Sequence, residues 1–261
     1  GVTFQSRRAE DEQVRDFLAS TDPWFRPVQV RTGTDGALWV VDMYRFVIEH
    51  PIWIPPDTLS RLDTRAGADM GRIYRIVPDG KPLRKMPDLT TMTGEQLADA
   101  MRSANGTQRD LVQQQILWKQ DRATIPTLTA MCQNDERPEV RVQALATLAC
   151  LNAVTEEVIA ACLKDSHPQV RRAAVASSEL LPAKSESLTK ELVTLAHDPT
   201  TAVRQQVLYT AGELPAQDSA QVLEACLKEP FADGFMKAAF ESSLNANNVA
   251  ALATRADAST R

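Results

Sequence analysis

Cysteine and histidine are scarce in this sequence, four and three among 261 residues. Neither CxxC nor CxxCH occurs, which excludes a zinc-ribbon pair and covalent haem c attachment from this stretch. The histidines His50, His167 and His197 do not converge with other donors along the chain, so no metal site is expected. No apolar run approaches the about 20 residues of a membrane span. The first residues do not pass through the basic, apolar and small-residue zones of a secretory signal. The chain opens on Gly1 rather than Met. The expectation is a processed chain or a piece of a longer one, and the missing signal then says little about compartment. Long basic runs are absent as well. With a net charge of −5, neither nucleic acid nor an anionic membrane surface is expected as a partner.

What is present is unevenly spread. Residues 1–91 carry 13 basic and 13 acidic side chains and residues 92–261 carry 16 and 21, so the acidic excess lies in the second part. Nine of 14 aromatic residues, eight of 15 prolines and six of 10 glycines precede residue 92. Turn-formers with aromatics suit short strands and ordered loops. The later part is rich in Ala, Leu, Gln and Glu, which suit helices. The fold class read from this is mainly α: an α-solenoid over residues 93–255 preceded by a small β segment over 1–85, with the boundary inside 82–93.

Internal repeats define the second part. NDERPEVRVQAL at 134–145, DSHPQVRRAAV at 165–175 and DPTTAVRQQVL at 198–208 share an Asp, a following Pro, Val-Arg and an apolar helical pattern. Weaker copies flank them, NGTQRDLVQQQIL at 105–117 and DGFMKAAFESSL at 233–244. The aligned cations Arg109, Arg141, Arg171, Arg204 and Lys237 are spaced by 32, 30, 33 and 33 residues. A helix pair with two turns needs about that length. Asp or Asn before the helix offers an acceptor for free amides, and Pro in the first turn costs no hydrogen bond. Val140, Ala144, Leu145, Leu148 and Leu151 form one apolar stripe, and Ile125, Leu128 and Met131 form another on the preceding helix. One pair cannot bury both stripes, so pairs stack. This pattern resembles HEAT repeats of the short D-x-x-P-x-V-R type, with a sixth unit beginning at 247–255.

The aligned arginines read in two ways. Each ties its loop to a neighbouring repeat through Asp and backbone carbonyls, or together they form an anion-binding stripe; the Asp or Asn in every loop favours the first. Cys132, Cys162 and Cys226 share one repeat position and Cys150 ends another helix. All four read as small buried hydrophobes. His167 and His197 read as solvated loop residues.

In the first part, Val28, Val30 and 37–41 read as two strands joined by the turn Gly33-Thr34-Asp35-Gly36. RIYRIV at 72–77 is a third strand, closed by Pro78-Asp79-Gly80. Together they outline one β-propeller blade. Residues 6–19 read as a strand end running into a short helix.

The words DPWFRP, TDGALWVVDMYR, IEHPIWIPP and RAGADMGRIYRIVPDG resemble the end of the propeller in large bacterial membrane-bound dehydrogenases, relatives of the glucose/sorbosone dehydrogenase propellers. In that family the propeller is followed by HEAT repeats and often by a haem c domain. The resemblance implies a piece from the propeller–HEAT junction and a periplasmic or cell-envelope location. It implies pyrroloquinoline quinone and haem c in the parent, with neither held by this chain. Partners would be another protein or the parent's own propeller and cytochrome domains. A propeller needs about four to eight blades, and one is present here.

Arg26, Asp42, Tyr44, Arg45, Glu49 and His50 fall on loops at the end of the hairpin, which in a full propeller rim the central channel. On that reading His50 is the general base, and Arg26 and Arg45 pair a quinone's carboxylates. The alternative is that Arg45, Glu49 and His50 form a structural hydrogen-bond network. Asp42 reads as a turn-capping residue rather than a calcium ligand, and Trp24, Trp39 and Trp53 as core. Three functions stay open: a non-catalytic scaffold fragment, one sector of a sugar or alcohol dehydrogenase site completed by missing blades, and a free-standing HEAT lyase, for which no nucleophile–base pair is visible.

Overall fold

The computed structural model describes residues 5–181, 185–228, 230–231 and 233–259. The chain divides into two compact units: Gln5–Asp88 with Asn105–Gln108, and the helices on either side of that short insertion.

The β unit is a three-stranded antiparallel meander: β1 (Pro27–Thr32), β2 (Leu38–Asp42) and β3 (Arg72–Ile76), with β2 in the centre. Val30 pairs with Val40 and Val40 with Tyr74, while Val41 pairs with Ile73 on the opposite face. A bulge between Pro27 and Gln29 shifts the register at the start of β1. The β1–β2 turn closes through Gly33 N–H to Ala37 C=O (2.8 Å) and Gly36 N–H to Gly33 C=O (3.0 Å). Asp35 accepts the Ala37 N–H, and Gly36 takes a φ of 83° that other residues reach only with strain. Asn105 and Gln108 donate amide hydrogens to the carbonyl of Thr34, closing the same turn from outside. Between β2 and β3 lie a 3-10 turn, Pro51–Trp53, and the short helix α1 (Pro56–Leu59). The stretch read as strand then helix contains instead a single 3-10 turn at Glu10–Glu12, held by Arg8, whose guanidinium binds the Glu12 carbonyl and the Asp16 carboxylate. Val14, Phe17 and Leu18 have helical spacing, but Val14 and Phe17 stay 97% and 66% exposed, so a longer helix would gain no packing there.

Eleven helices follow among the described residues: α2 (Gly94–Ala100), α3 (Gly106–Lys119), α4 (Ile125–Asn134), α5 (Pro138–Cys150), α6 (Glu156–Leu163), α7 (Pro168–Ser177), α8 (Glu186–Leu195), α9 (Thr201–Ala211), α10 (Ala216–Cys226), α11 (Gly234–Ser243) and α12 (Ala246–Ser259). They form two layers. The even-numbered helices from α2 to α12 pack on one another in sequence, and α5, α7, α9 and α11 do the same in the second layer. This is an α-solenoid of stacked pairs, preceded by a small β segment.

Burial follows the stripes. Val140, Ala144, Leu145 and Leu148 of α5 are fully buried, as are Leu128 and Met131 of α4, and Ile125 is half-buried. Each fully buried leucine contributes about 2 kcal/mol of transfer free energy. Thr93 and Gln96 cap α2 reciprocally, and Thr155 and Ser185 cap α6 and α8.

The aligned cations are all the fourth residue of their helix, in α3, α5, α7, α9 and α11. In four of them the same guanidinium nitrogen donates to the carbonyl six residues back: Arg109 to Ser103, Arg141 to Asp135, Arg171 to Asp165 and Arg204 to Asp198. Arg141 then grips Asp165 of the next repeat with two bonds of 2.7 and 2.8 Å, and Arg171 grips Asp198 at 2.7 and 3.0 Å. These two steps of the ladder are internal ties, which is the structural reading. Lys237 differs: it is exposed and faces Glu241 on its own helix. The strong-copy Asp residues do not cap helices directly. Asp135, Asp165 and Asp198 accept the N–H two residues on, which builds the loop, whereas Asn105 and Asp233 bond amides in the first helical turn.

Three cysteines are buried as expected, but Cys150 is exposed because it lies off the apolar stripe, on the outward side of α5 with Ala146. His167 is not merely solvated: its Nδ1 accepts the Gln169 N–H and caps α7.

Candidate functional site

The hairpin end of the β unit is organised by Asp42, which is 1% exposed. Its Oδ1 accepts the N–H of Arg26 (2.8 Å) and of Tyr44 (2.9 Å), fixing the chain as it leaves β2. This is the turn-capping role. Its Oδ2 is buried without a hydrogen-bond partner among the described residues. Tyr44 is forced to a φ of 48° and is braced by Gly67, where an added Cβ would lie 2.5 Å from the Tyr44 carbonyl oxygen. The Tyr44 hydroxyl donates to Asp22 Oδ2 at 2.7 Å, and the Arg72 guanidinium stacks 4.0 Å from the Tyr44 ring centre. Trp24 packs between Tyr44 and Phe46, and Phe25 meets Tyr74 edge-on.

The electrostatics follow from these contacts. The Trp24 N–H and then the Tyr44 phenol hold the Asp22 carboxyl below its ordinary range. The same bond to Asp22 raises the Tyr44 phenol, and the Tyr74 hydroxyl raises the Arg72 guanidinium.

The residues expected to carry chemistry are placed as follows. Arg26 turns its guanidinium back onto the carbonyls of Pro23 and Phe25. Arg45 donates to the Arg65 carbonyl (3.4 Å). His50 is exposed and caps the Pro51–Trp53 turn, its Nδ1 accepting the Ile52 N–H at 3.2 Å. Each polar head is engaged locally, and the three share no common centre. Glu49 accepts only a long bond from the Ile48 N–H, and Arg45, Glu49 and His50 make no hydrogen bond to one another among the described residues. The expectation of three core tryptophans fails: Trp53 is 80% and Trp39 37% exposed, and Trp24 is half-buried against Tyr44 and Phe46.

Arg45 and Arg65 line a groove of about 480 Å³ with Met43, Val47, Ile48 and Ala68 as apolar walls. Two guanidinium groups beside apolar walls suit a small carboxylate. The only signal for Arg65 was the Asp63-Thr64-Arg65 turn, in which Asp63 accepts the Arg65 N–H. No group of three or more metal-binding side chains occurs among the described residues.

Residues 1–80 match a family described as a domain of unknown function (DUF7133), and residues 155–245 match the HEAT repeats family. The second match covers the rung Arg171–Asp198 and the helices from α6 to α11. Among solved structures, the complex of CpcE and CpcF of phycocyanin lyase from Nostoc sp. PCC7120 is similar at 19% identity. The alignment covers 64% of this chain and 68% of that one, with a TM-score of 0.43. No curated protein matches. The chain is thus a HEAT-repeat α-solenoid preceded by a small β segment. No helix among the described residues is long and apolar enough to cross a membrane.

Proposed function

We propose that this chain is a protein-docking scaffold from a quinoprotein-like dehydrogenase, in which the β unit is one sector of a propeller and the HEAT repeats receive a protein partner. The observation that carries the proposal is the unfinished sheet. Every residue of β1 is exposed, and Val28, Val30 and Ile73 leave large apolar side chains in water. A three-stranded sheet with bare apolar edges is built to be covered, and neighbouring propeller blades would cover it. The resemblance of the loop words to the membrane-bound dehydrogenases points the same way and brings with it a periplasmic or cell-envelope location.

The residues present do not make a complete quinone site. Arg45 lines a groove with Arg65, but Arg26 and His50 are engaged elsewhere, and no CxxCH is available for haem c. No reaction step is assigned to this chain. Pyrroloquinoline quinone and haem c belong, on this reading, to the rest of the parent, and the sugar or alcohol dehydrogenase site would need the missing blades to enclose it.

The test is dye reduction with pyrroloquinoline quinone, calcium and a panel of sugars and alcohols. It would be run on this chain and on a longer polypeptide in which a full propeller of that family precedes it. Silence from this chain with turnover by the longer one is the expected result. Turnover by this chain, abolished in His50→Ala, would overturn the scaffold reading in favour of catalysis.

A further inference from the structure

The second-layer helices present one continuous face. Counting from the aligned cations, Gln143 of α5 and Gln206 of α9 occupy equivalent positions, as do Ala146, Tyr209 and Ser242. Two grooves open on this face. The first, about 520 Å³, has a floor of Val142 and Ala146 and carries Asp110, Glu139 and His167. The second, about 450 Å³, is lined by Glu179, Gln206, Tyr209, Glu213 and Ser242. Among the described residues neither is lined by a Lys or Arg. The nearby ladder cations are turned inward: Arg109 onto Gln143 and Ser103, Arg141 onto Asp165, Arg171 onto Asp198. Between the grooves, at the α7 position equivalent to Val142, stands exposed Arg172. The face therefore reads acidic, basic, acidic on a diagonal, from the N-terminal turn of α5 through Arg172 to the C-terminal end of α9.

We infer that this face binds an extended segment of a partner protein that carries Lys or Arg near each end and an Asp or Glu between them. The inference rests on the scaffold reading and names its partner chemistry. Charge complementarity selects the occupant. The exposed Tyr209 ring, 45% accessible, offers a surface on which an arginine or lysine can stack. Geometry sets the spacing. Packed helices lie roughly 8–10 Å apart and a helix rises about 1.5 Å per residue, so Glu139, one helix over and nearer the N-terminal ends, lies about 10 Å from Arg172, and Glu213, one helix over on the other side and nearer the C-terminal ends, about 15 Å. An extended chain advances about 3.3 Å per residue. The partner's acidic residue thus falls about three residues from one basic end and about four from the other.

The probe is a fluorescein-labelled peptide of Ser, Ala and Gln with Lys-Lys, Glu and Lys-Lys at that spacing, read by anisotropy against a scrambled peptide of equal composition. The designed peptide should bind at least tenfold more tightly, and added salt should weaken it. Glu139→Lys and Glu213→Lys should each lower affinity at least tenfold, with unchanged circular dichroism melts showing that the fold survives. Arg172→Glu should weaken the original peptide severalfold and restore binding to a peptide with Lys in place of the central Glu. Equal binding of the scrambled peptide, or indifference to the charge swaps, would overturn the assignment. Crosslinking the chain to the longer polypeptide separates the two readings. Crosslinks elsewhere on the helices, with a silent peptide, sink this face alone. A helical unit that crosslinks to nothing sinks the scaffold as well.

Discussion

At the residue scale, Asp22 and Tyr44 bias each other's protonation in opposite directions. Asp22 keeps a depressed folded pKa, so its contribution to stability is present above the ordinary aspartate range and disappears as pH falls through the depressed value. Tyr44 has a raised one, so its contribution is complete below the ordinary tyrosine range and is lost as pH rises through the folded value. Between those limits the pair is pH-neutral, and neither group titrates where enzymes usually work. In Tyr44→Phe the Asp22 carboxyl should titrate at a higher pH than in the parent, yet still below an ordinary aspartate, because the Trp24 N–H bond at 3.0 Å remains. Carbon-detected NMR titration of the carboxyl reads this directly. An unmoved Asp22 would show that the phenol bond is not formed in solution.

At the scale of elements, the repeats are joined by charge as well as by apolar stripes. Asp198 accepts two bonds from Arg171 of the preceding repeat and one N–H from Thr200 of its own loop, with its side chain only 3% exposed. Truncating it strands a guanidinium that is itself largely buried. Asp198→Ala should therefore cost about 3–5 kcal/mol in denaturant melts. Asp198→Asn, which keeps an acceptor for both neighbours, should cost clearly less; equal losses would mean that packing rather than pairing is at stake. This ladder was legible in the sequence, because Asp, Pro and Val-Arg recur in one register and only a stacked pair explains that period. The strands were legible from β-branched runs bounded by Gly-rich turns. The hairpin-end cluster was less so. Nothing in the spacing of Asp22, Asp42, Tyr44, Gly67 and Arg72 shows that they meet, since their contacts depend on a positive φ at Tyr44 and on the cross-strand partnering of Asp42 with Arg72. Arg26, Arg45 and His50 group together in the sequence because all three lie on loops at one end of the hairpin. Local carbonyls and amides lay nearer to each polar head than any shared centre.

For the molecule as a whole, a solenoid in which each repeat touches only its neighbours should open from its ends. The four thiols are native reporters of that behaviour. Cys150 is exposed at the end of α5. Cys132, Cys162 and Cys226 are buried at one repeat position in α4, α6 and α10. Burial pushes the Cys226 thiol up to about 12, and the Cys162 thiol together with burial raises Cys132 further, so neither offers thiolate near neutral pH. With a thiol-specific reagent near pH 8, only Cys150 should react in the native protein. At rising denaturant below the main transition, Cys226 and Cys132, each one first-layer helix from an end of the stack, should become reactive. Cys162 lies in α6, at least two first-layer helices from either end of the stack, with its sulfur 3.7 Å from the Cys132 carbonyl, and should react last, with global unfolding. Peptide mass mapping after timed alkylation gives the order, with each rate scaled to that of the unfolded chain. If the three buried thiols shared one denaturant midpoint, the helical unit would be unfolding all at once, and the nearest-neighbour picture of its stability would have to be abandoned.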